Sequence, residues 1–152
     1  MKMPVINIHG TAIVLGSVGF LVTGPSGAGK SALALSLISE VRRRGRFAAL
    51  VADDRVDLTA TNGHIVARCP PAIQGLIEIR GAGIAAVETM PACILSWAVL
   101  PVKAPFNPRL PPESERLQLE AAISLPLLRL PVEGTLSAVD ALIALLPDKI
   151  GI

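Results

Sequence analysis

The octapeptide Gly24-Pro25-Ser26-Gly27-Ala28-Gly29-Lys30-Ser31 fits the pattern G-x-x-x-x-G-K-[ST], and the chemistry of that spacing is phosphate binding. Its glycines let the backbone fold tightly enough for successive N–H groups to point at phosphate oxygens, and a helix starting just after adds its positive end. In such a loop Lys30 reaches the β- and γ-phosphates of a nucleoside triphosphate, and the Ser31 hydroxyl ligates Mg²⁺. The metal needs an acidic partner. Asp53, at the end of the next apolar run, is the best placed in the chain, which leaves Asp54 to accept a hydroxyl proton during phosphoryl transfer. Adjacent strand residues point to opposite sides, but at a strand end the backbone can turn so that both carboxylates line one cleft. Two solvated turn aspartates are the plainer alternative. Glu78 and Arg80 alternate with Leu76, Ile77 and Ile79 and so share one face, functional or merely solvated. His9, ahead of Gly10, is equally open between a structural and a catalytic role.

The elements that must hold these residues are legible from periodicity. Val5 to Val22 is apolar and β-branched, broken at Gly16-Ser17, and predicts two antiparallel strands; the second delivers the chain through Phe20-Leu21-Val22-Thr23 to Gly24. Ser31 to Arg44 carries Leu33, Leu37, Ile38 and Val41 at helical spacing. Arg42-Arg43-Arg44 then suits the negative end of that helix, with Gly45 as its C′ residue; a phosphate-binding patch is the weaker reading of the same run. Phe47 to Ala52 predicts a buried strand ending at Asp53-Asp54, where parallel sheets place ligands. Val56 to Thr61 and Ile65 to Ala67 flank Asn62-Gly63, the signal of a hairpin. Leu76 to Arg80 predicts a strand stopping at Gly81-Ala82-Gly83, and Ala92 to Leu100 another. Pro101 to Pro112 reads as loop, Leu127 to Leu130 as a last strand, and Ser137 to Leu146 as a terminal helix.

At 152 residues these elements make one domain, 1–152, of α/β class with a mixed sheet. Hydrophobic residues are 51% of the chain and charged ones 17%, more apolar surface than a core this size absorbs, which favours oligomerisation. A net charge of +2 with dispersed basic residues gives little basis for binding nucleic acid. No apolar run approaches the roughly 20 residues that cross a bilayer. Cys69 and Cys93 lack ligand spacing and fit free thiols in a reducing cytoplasm.

Four stretches in order, Ile8-His9-Gly10-Thr11, Gly24 to Ser31, Val51-Ala52-Asp53-Asp54-Arg55-Val56 and Leu76 to Ile84, resemble the catalytic domain of HPr kinase/phosphorylase. The resemblance covers nearly the whole chain. It implies a P-loop fold similar to the nucleotide domain of phosphoenolpyruvate carboxykinase, a hexameric assembly, ATP and Mg²⁺ as requirements, and a regulatory serine of the phosphocarrier HPr as acceptor. Carried onto this sequence, it implies Asp54 as the catalytic aspartate and His9 as its neighbour. It further implies Ser31, Asp53 and Glu78 around the metal and Arg80 at the phosphates. Arg116, in Glu115-Arg116-Leu117-Gln118-Leu119, resembles a further functional arginine. Two departures stand out. The chain begins a few residues before His9, the pattern of a catalytic-domain-only form. It also reads Leu130-Pro131-Val132-Glu133-Gly134-Thr135-Leu136 where the family has a Pro-Gly-Arg-Asn loop tied to the reverse, phosphorolytic reaction. A small-molecule kinase or NTP hydrolase, or a nucleotide-sensing module, would use the same loop; no Asn-Lys-x-Asp motif points to a regulatory GTPase.

Overall fold

The computed structural model describes residues 4–120, 122–146 and 152, so Met1 lies outside the described residues. Within them, eleven strands and two α-helices run in the order β1 (Val5–His9), β2 (Thr11–Leu15), β3 (Val18–Val22), α1 (Lys30–Arg43), β4 (Ala48–Ala52), β5 (Arg55–Thr61), β6 (His64–Arg68), β7 (Leu76–Ile79), β8 (Gly83–Ala86), β9 (Ala92–Val102), β10 (Arg116–Glu120), β11 (Ile123–Pro131) and α2 (Ala138–Leu145). Nine strands form one mixed sheet with the path β1-β5-β6-β9-β3-β2-β4; β11 joins β9, and β10 joins β11. β7 and β8 form a separate hairpin.

Long β9 organises the sheet. Its first residues pair antiparallel with β6, and its later residues pair parallel with both β3 and β11. The parallel trio β3, β9 and β11 therefore ends on one edge, and the glycine loop leaves β3 at that edge, where open α/β sheets take their ligands. Thr23 is tied there by its N–H to the Val99 carbonyl at 2.8 Å.

The apolar pattern explains why both faces are covered. β2 and β4 are buried at every position, as strands sandwiched between layers must be. Alternate residues divide: Ile13, Leu15, Phe20 and Val22 pack with Leu33, Leu37 and Val41 of α1 and with Leu142 of α2. Ala12, Val14 and Leu21 face the opposite way, onto Val56, Leu58, Ala67 and Leu95.

Val5 to Val22 forms three strands where periodicity predicts two. The extra break is at Gly10. A Cβ there would lie 3.0 Å from Leu21 Cδ1 and 3.2 Å from the Val22 carbonyl oxygen, tighter than ordinary contact, so a side chain here would force its neighbours to give way. β1 consequently leaves the β2–β3 pair and runs along β5, setting His9 opposite Arg55. Three further expectations are extended: β8 completes a hairpin with β7, β11 starts at Ile123, and β10 forms around Arg116. The arginine run does cap α1. Gly45 is left-handed with φ 74°, its N–H reaches the Arg42 carbonyl at 2.9 Å, and the Arg44 side chain ties α1 to Asp140 of α2 at 2.8 Å.

Candidate active site

The glycine loop presents an uncapped helix. Gly29, the N-cap of α1, is left-handed with φ 89° and supplies no side chain, and the first turn carries no acidic residue. The orphan N–H groups of this helix end thus meet no side-chain cap from the helix's own first turn. Lys30 folds back on the loop, its Nζ donating to the carbonyls of Gly24 at 3.0 Å and Pro25 at 3.1 Å. Both acceptors belong to the loop, so the ammonium is held against it, where an incoming anion would compete for it.

Asp53 lies beneath this loop, 5% exposed. Its Oδ1 accepts from Ser31 Oγ at 2.6 Å and from Thr11 Oγ1 at 3.0 Å, and its Oδ2 accepts from the Glu78 backbone N–H at 3.1 Å. Four segments far apart in sequence meet at one carboxylate. No cationic side chain pairs with it among the described residues, so its buried charge is stabilised by neutral donors alone, an arrangement that favours a cation alongside. A hydroxyl and a carboxylate in contact suit Mg²⁺, which takes one or two protein oxygens and fills its shell with water and phosphate. No cluster of three His, Cys, Asp or Glu side chains that could cage a metal occurs among the described residues.

Asp54 faces the other way. The Arg55 N–H bonds to the Asp53 carbonyl at 2.8 Å, closing a three-residue turn with Asp54 at its centre and φ at 70°. Such turns are uncommon and strained for a residue with a side chain. The reversal buries Asp53 while pointing Asp54 outward, 3.7 Å from His9 Nδ1. The Gly10 N–H, 3.1 Å from the Asp54 carbonyl, fixes the backbone that carries both side chains.

One cleft of about 650 Å³ joins the loop to Asp54; its walls include His9, Asp54, Glu78, Arg80, Lys30 and Ser31, together with loop residues 24–27 and Gly29. Asp53 is not among them, so the two carboxylates do not both line the cleft as expected, because the turn buries Asp53 beneath the loop. Arg80 closes the loop from above, its Nη2 lying 3.3 Å from Ser26 Oγ. Of the loop, only Ala28 is absent from the lining. Arg116 is not brought to the cleft. It lies on β10, where its guanidinium donates to the Ser124 hydroxyl at 3.0 Å and the Ser124 carbonyl at 3.2 Å. Thr11 is the buried partner to which sequence reasoning gave no role; a threonine in an apolar strand carries no periodic signal of the carboxylate it meets.

The profile of the family described as HPr Serine kinase C-terminal domain matches residues 3–91, more than half of the chain. The chain belongs to this family. Among curated HPr kinase/phosphorylases, that of Bordetella pertussis is 44% identical over 88 residues, and that of Clostridium beijerinckii 39% identical over 87; each match takes 57% of this chain and 27% of the relative. The chain thus spans little more than a quarter of those relatives' length. The solved structure of the HPr(Ser) kinase/phosphatase from Coxiella burnetii superposes with a TM-score of 0.66 at 26% identity, covering 84% of this chain and 80% of that one. The mixed α/β architecture is therefore that of the HPr kinase C-terminal domain. The family match contains the glycine loop, both aspartates and the β7–β8 hairpin, and ends just before β9 begins at Ala92.

Proposed function

We propose that residues 1–152 act as one ATP- and Mg²⁺-dependent catalytic unit that phosphorylates a serine of HPr or a paralogous phosphocarrier in the cytoplasm. The observation that carries the reading is the Asp54 turn, which holds a strained carboxylate beside His9 at the edge of a phosphate loop. Binding alone has no need of that carboxylate.

In this reading the donor's phosphates lie in the N–H cradle of Gly24 to Ser31, held by Lys30 and Arg80. Ser31 and Asp53, with Glu78 nearby, hold Mg²⁺, whose contribution is to offset charge on the phosphates. Asp54 takes the proton of the acceptor serine as its oxygen bonds to the γ-phosphorus and the bridge to the leaving diphosphate breaks. His9 orients Asp54. Most of the rate gain is positioning and charge neutralisation. Homo-oligomerisation, up to the hexamer that the family resemblance implies, accords with large apolar side chains left open, among them Ile84 at 72% and Leu110 at 71% exposure.

The test is direct: incubate the chain with ATP, Mg²⁺ and the host's HPr, and look for phosphoserine by mass spectrometry. Phosphoserine that vanishes with Asp54→Asn supports the proposal, whereas nucleotide binding without transfer to HPr overturns it. Excess inorganic phosphate added afterwards reads the reverse reaction, for which the Leu130 to Leu136 stretch lacks the family's arginine and asparagine.

A further inference from the structure

The cleft is longer than its phosphate site. Beyond Ser31 its wall continues along α1 through Ala32, Ser36, Ser39 and Arg43, a stripe at helical spacing, with Leu35 and Ile79 beside it. At 1.5 Å per residue, Ala32 to Ser39 spans about 10 Å and Ala32 to Arg43 about 16 Å. The ends of α1 are unlike. At the first, Ser31 touches Asp53 at 2.6 Å; at the last, Arg42 holds the Ala48 carbonyl at 2.8 Å, so β4 returns beside the helix and Asp54 lies at the end opposite Arg43.

Resting on the kinase reading, this geometry fixes what fills the far half. In-line transfer sets the acceptor and the leaving group on opposite sides of the moving phosphoryl group. Asp54 and His9 mark the acceptor's side, so the leaving half of the donor departs from the helix N-terminus along α1. We propose that the stripe Ala32, Ser36 and Ser39, with Leu35 and Ile79, seats the donor's nucleoside and holds the base without selecting among bases.

The chemistry of the wall carries the second clause. Ile79 is 38% exposed and Leu35 half-buried, so both offer apolar surface inside the cleft. Ser36 and Ser39 carry hydroxyls that rotate to donate or accept, satisfying an amino or a keto edge equally. The fixed cation, Arg43, is engaged by Glu40 at 2.7 Å. Strong discrimination requires polar groups that one substrate satisfies and its rival leaves unpaired, and this wall presents none that cannot turn.

Calorimetric titration of the full chain with ATP, GTP and inorganic triphosphate, each with Mg²⁺, tests the assignment. ATP and GTP should bind within about tenfold of one another, and Ser39→Trp should weaken both at least about tenfold while leaving inorganic triphosphate within about twofold. Ser36→Trp, at an exposed position that cannot disturb the core, should repeat the pattern. Unchanged ATP affinity in both tryptophan variants would hand the far half to the acceptor and overturn the proposal. So would equal weakening of triphosphate and ATP, or a preference for one base of about a hundredfold or more. Lys30→Ala separates the two readings: if all three ligands bind it as they bind the parent chain, the phosphate site itself is wrong, whatever the tryptophans do.

Discussion

At the scale of the residue, Asp54 holds a conformation that costs an ordinary side chain on the order of 1–2 kcal/mol, a cost that the proposed proton transfer would account for. Three substitutions separate the two properties. Asp54→Asn should match the parent chain in urea unfolding and Asp54→Gly should be at least as stable, since glycine takes positive φ without strain, whereas Asp54→Val should lose about 1–2 kcal/mol. Transfer should fall in all three by on the order of a hundredfold or more, as for removal of one reacting group. Near-normal transfer by Asp54→Asn would end the assignment. Thr11 offers a second separation. Its hydroxyl reaches only Asp53, so Thr11→Val should raise the Mg²⁺ requirement of nucleotide binding several-fold while Thr11→Ser restores it, in line with a bond to a charged group worth about 1.5–3 kcal/mol. Equal binding by Thr11→Val would make the hydroxyl a packing detail. The aspartate pair was legible in the sequence because strand ends at phosphate loops carry acids. Their separate assignments, Asp53 to a metal and Asp54 to a proton, could be drawn from order along the chain, but the turn that buries one and exposes the other could not, because it depends on one backbone hydrogen bond between Asp53 and Arg55.

Among the elements, the strand, glycine loop and helix were all readable, since each writes its own period over enough residues. Contacts between distant strands were less readable. Nothing local predicts that Gly10 must pass under Leu21, nor that Arg116 belongs to a five-residue strand bonded to Ser124. Gly19 is the same kind of residue: a Cβ there would lie 2.1 Å from the Ile94 carbonyl oxygen, where β3 meets β9. Gly19→Ala should therefore destabilise the fold by about 1–3 kcal/mol, by the cost of forcing atoms into a packed core. An unchanged urea midpoint would contradict the pairing. The end of the proline-rich loop is pinned by Glu115, which accepts two hydrogen bonds from Arg129 of β11 at 2.9 and 2.8 Å. These bonds hold the Glu115 carboxyl below its ordinary 4.5. A lowered carboxyl pKa stabilises the fold above that ordinary value and ceases to do so as the pH falls through the lowered one. The gap in stability between the parent chain and Arg129→Gln should be present at neutral pH and close in acid. A gap that persisted in acid would place the effect in packing.

For the whole molecule, the apolar excess legible in composition reappears as exposed side chains on separate elements: Ile84 on β8, Ile94 on β9, Leu136 ahead of α2 and Leu145 on it. Light scattering at micromolar concentration should give a mass several times that of one chain, and a strictly monomeric chain would refute the assembly. Composition could raise this expectation but could not say which surfaces meet, since that depends on which apolar residues the sheet and helices leave uncovered. Cys93, by contrast, is withdrawn from chemistry, its thiol pushed up to about 12 by burial.

The lone carboxylate of Asp53 has one more consequence. A buried carboxylate at a helix start draws partial support from the positive end of α1 but has no cationic side chain beside it among the described residues, so in the proposed function a bound magnesium nucleotide would add the missing counter-charge. Folding and loading are then a single linked equilibrium. A ligand at a hundred times its Kd adds about 2.7 kcal/mol to a native state that alone binds it. Melting temperature should accordingly climb with nucleotide concentration, and climb less in Asp53→Asn. The cell's energy currency would set how long each copy of this chain survives unfolding and proteolysis, as well as how fast it turns over.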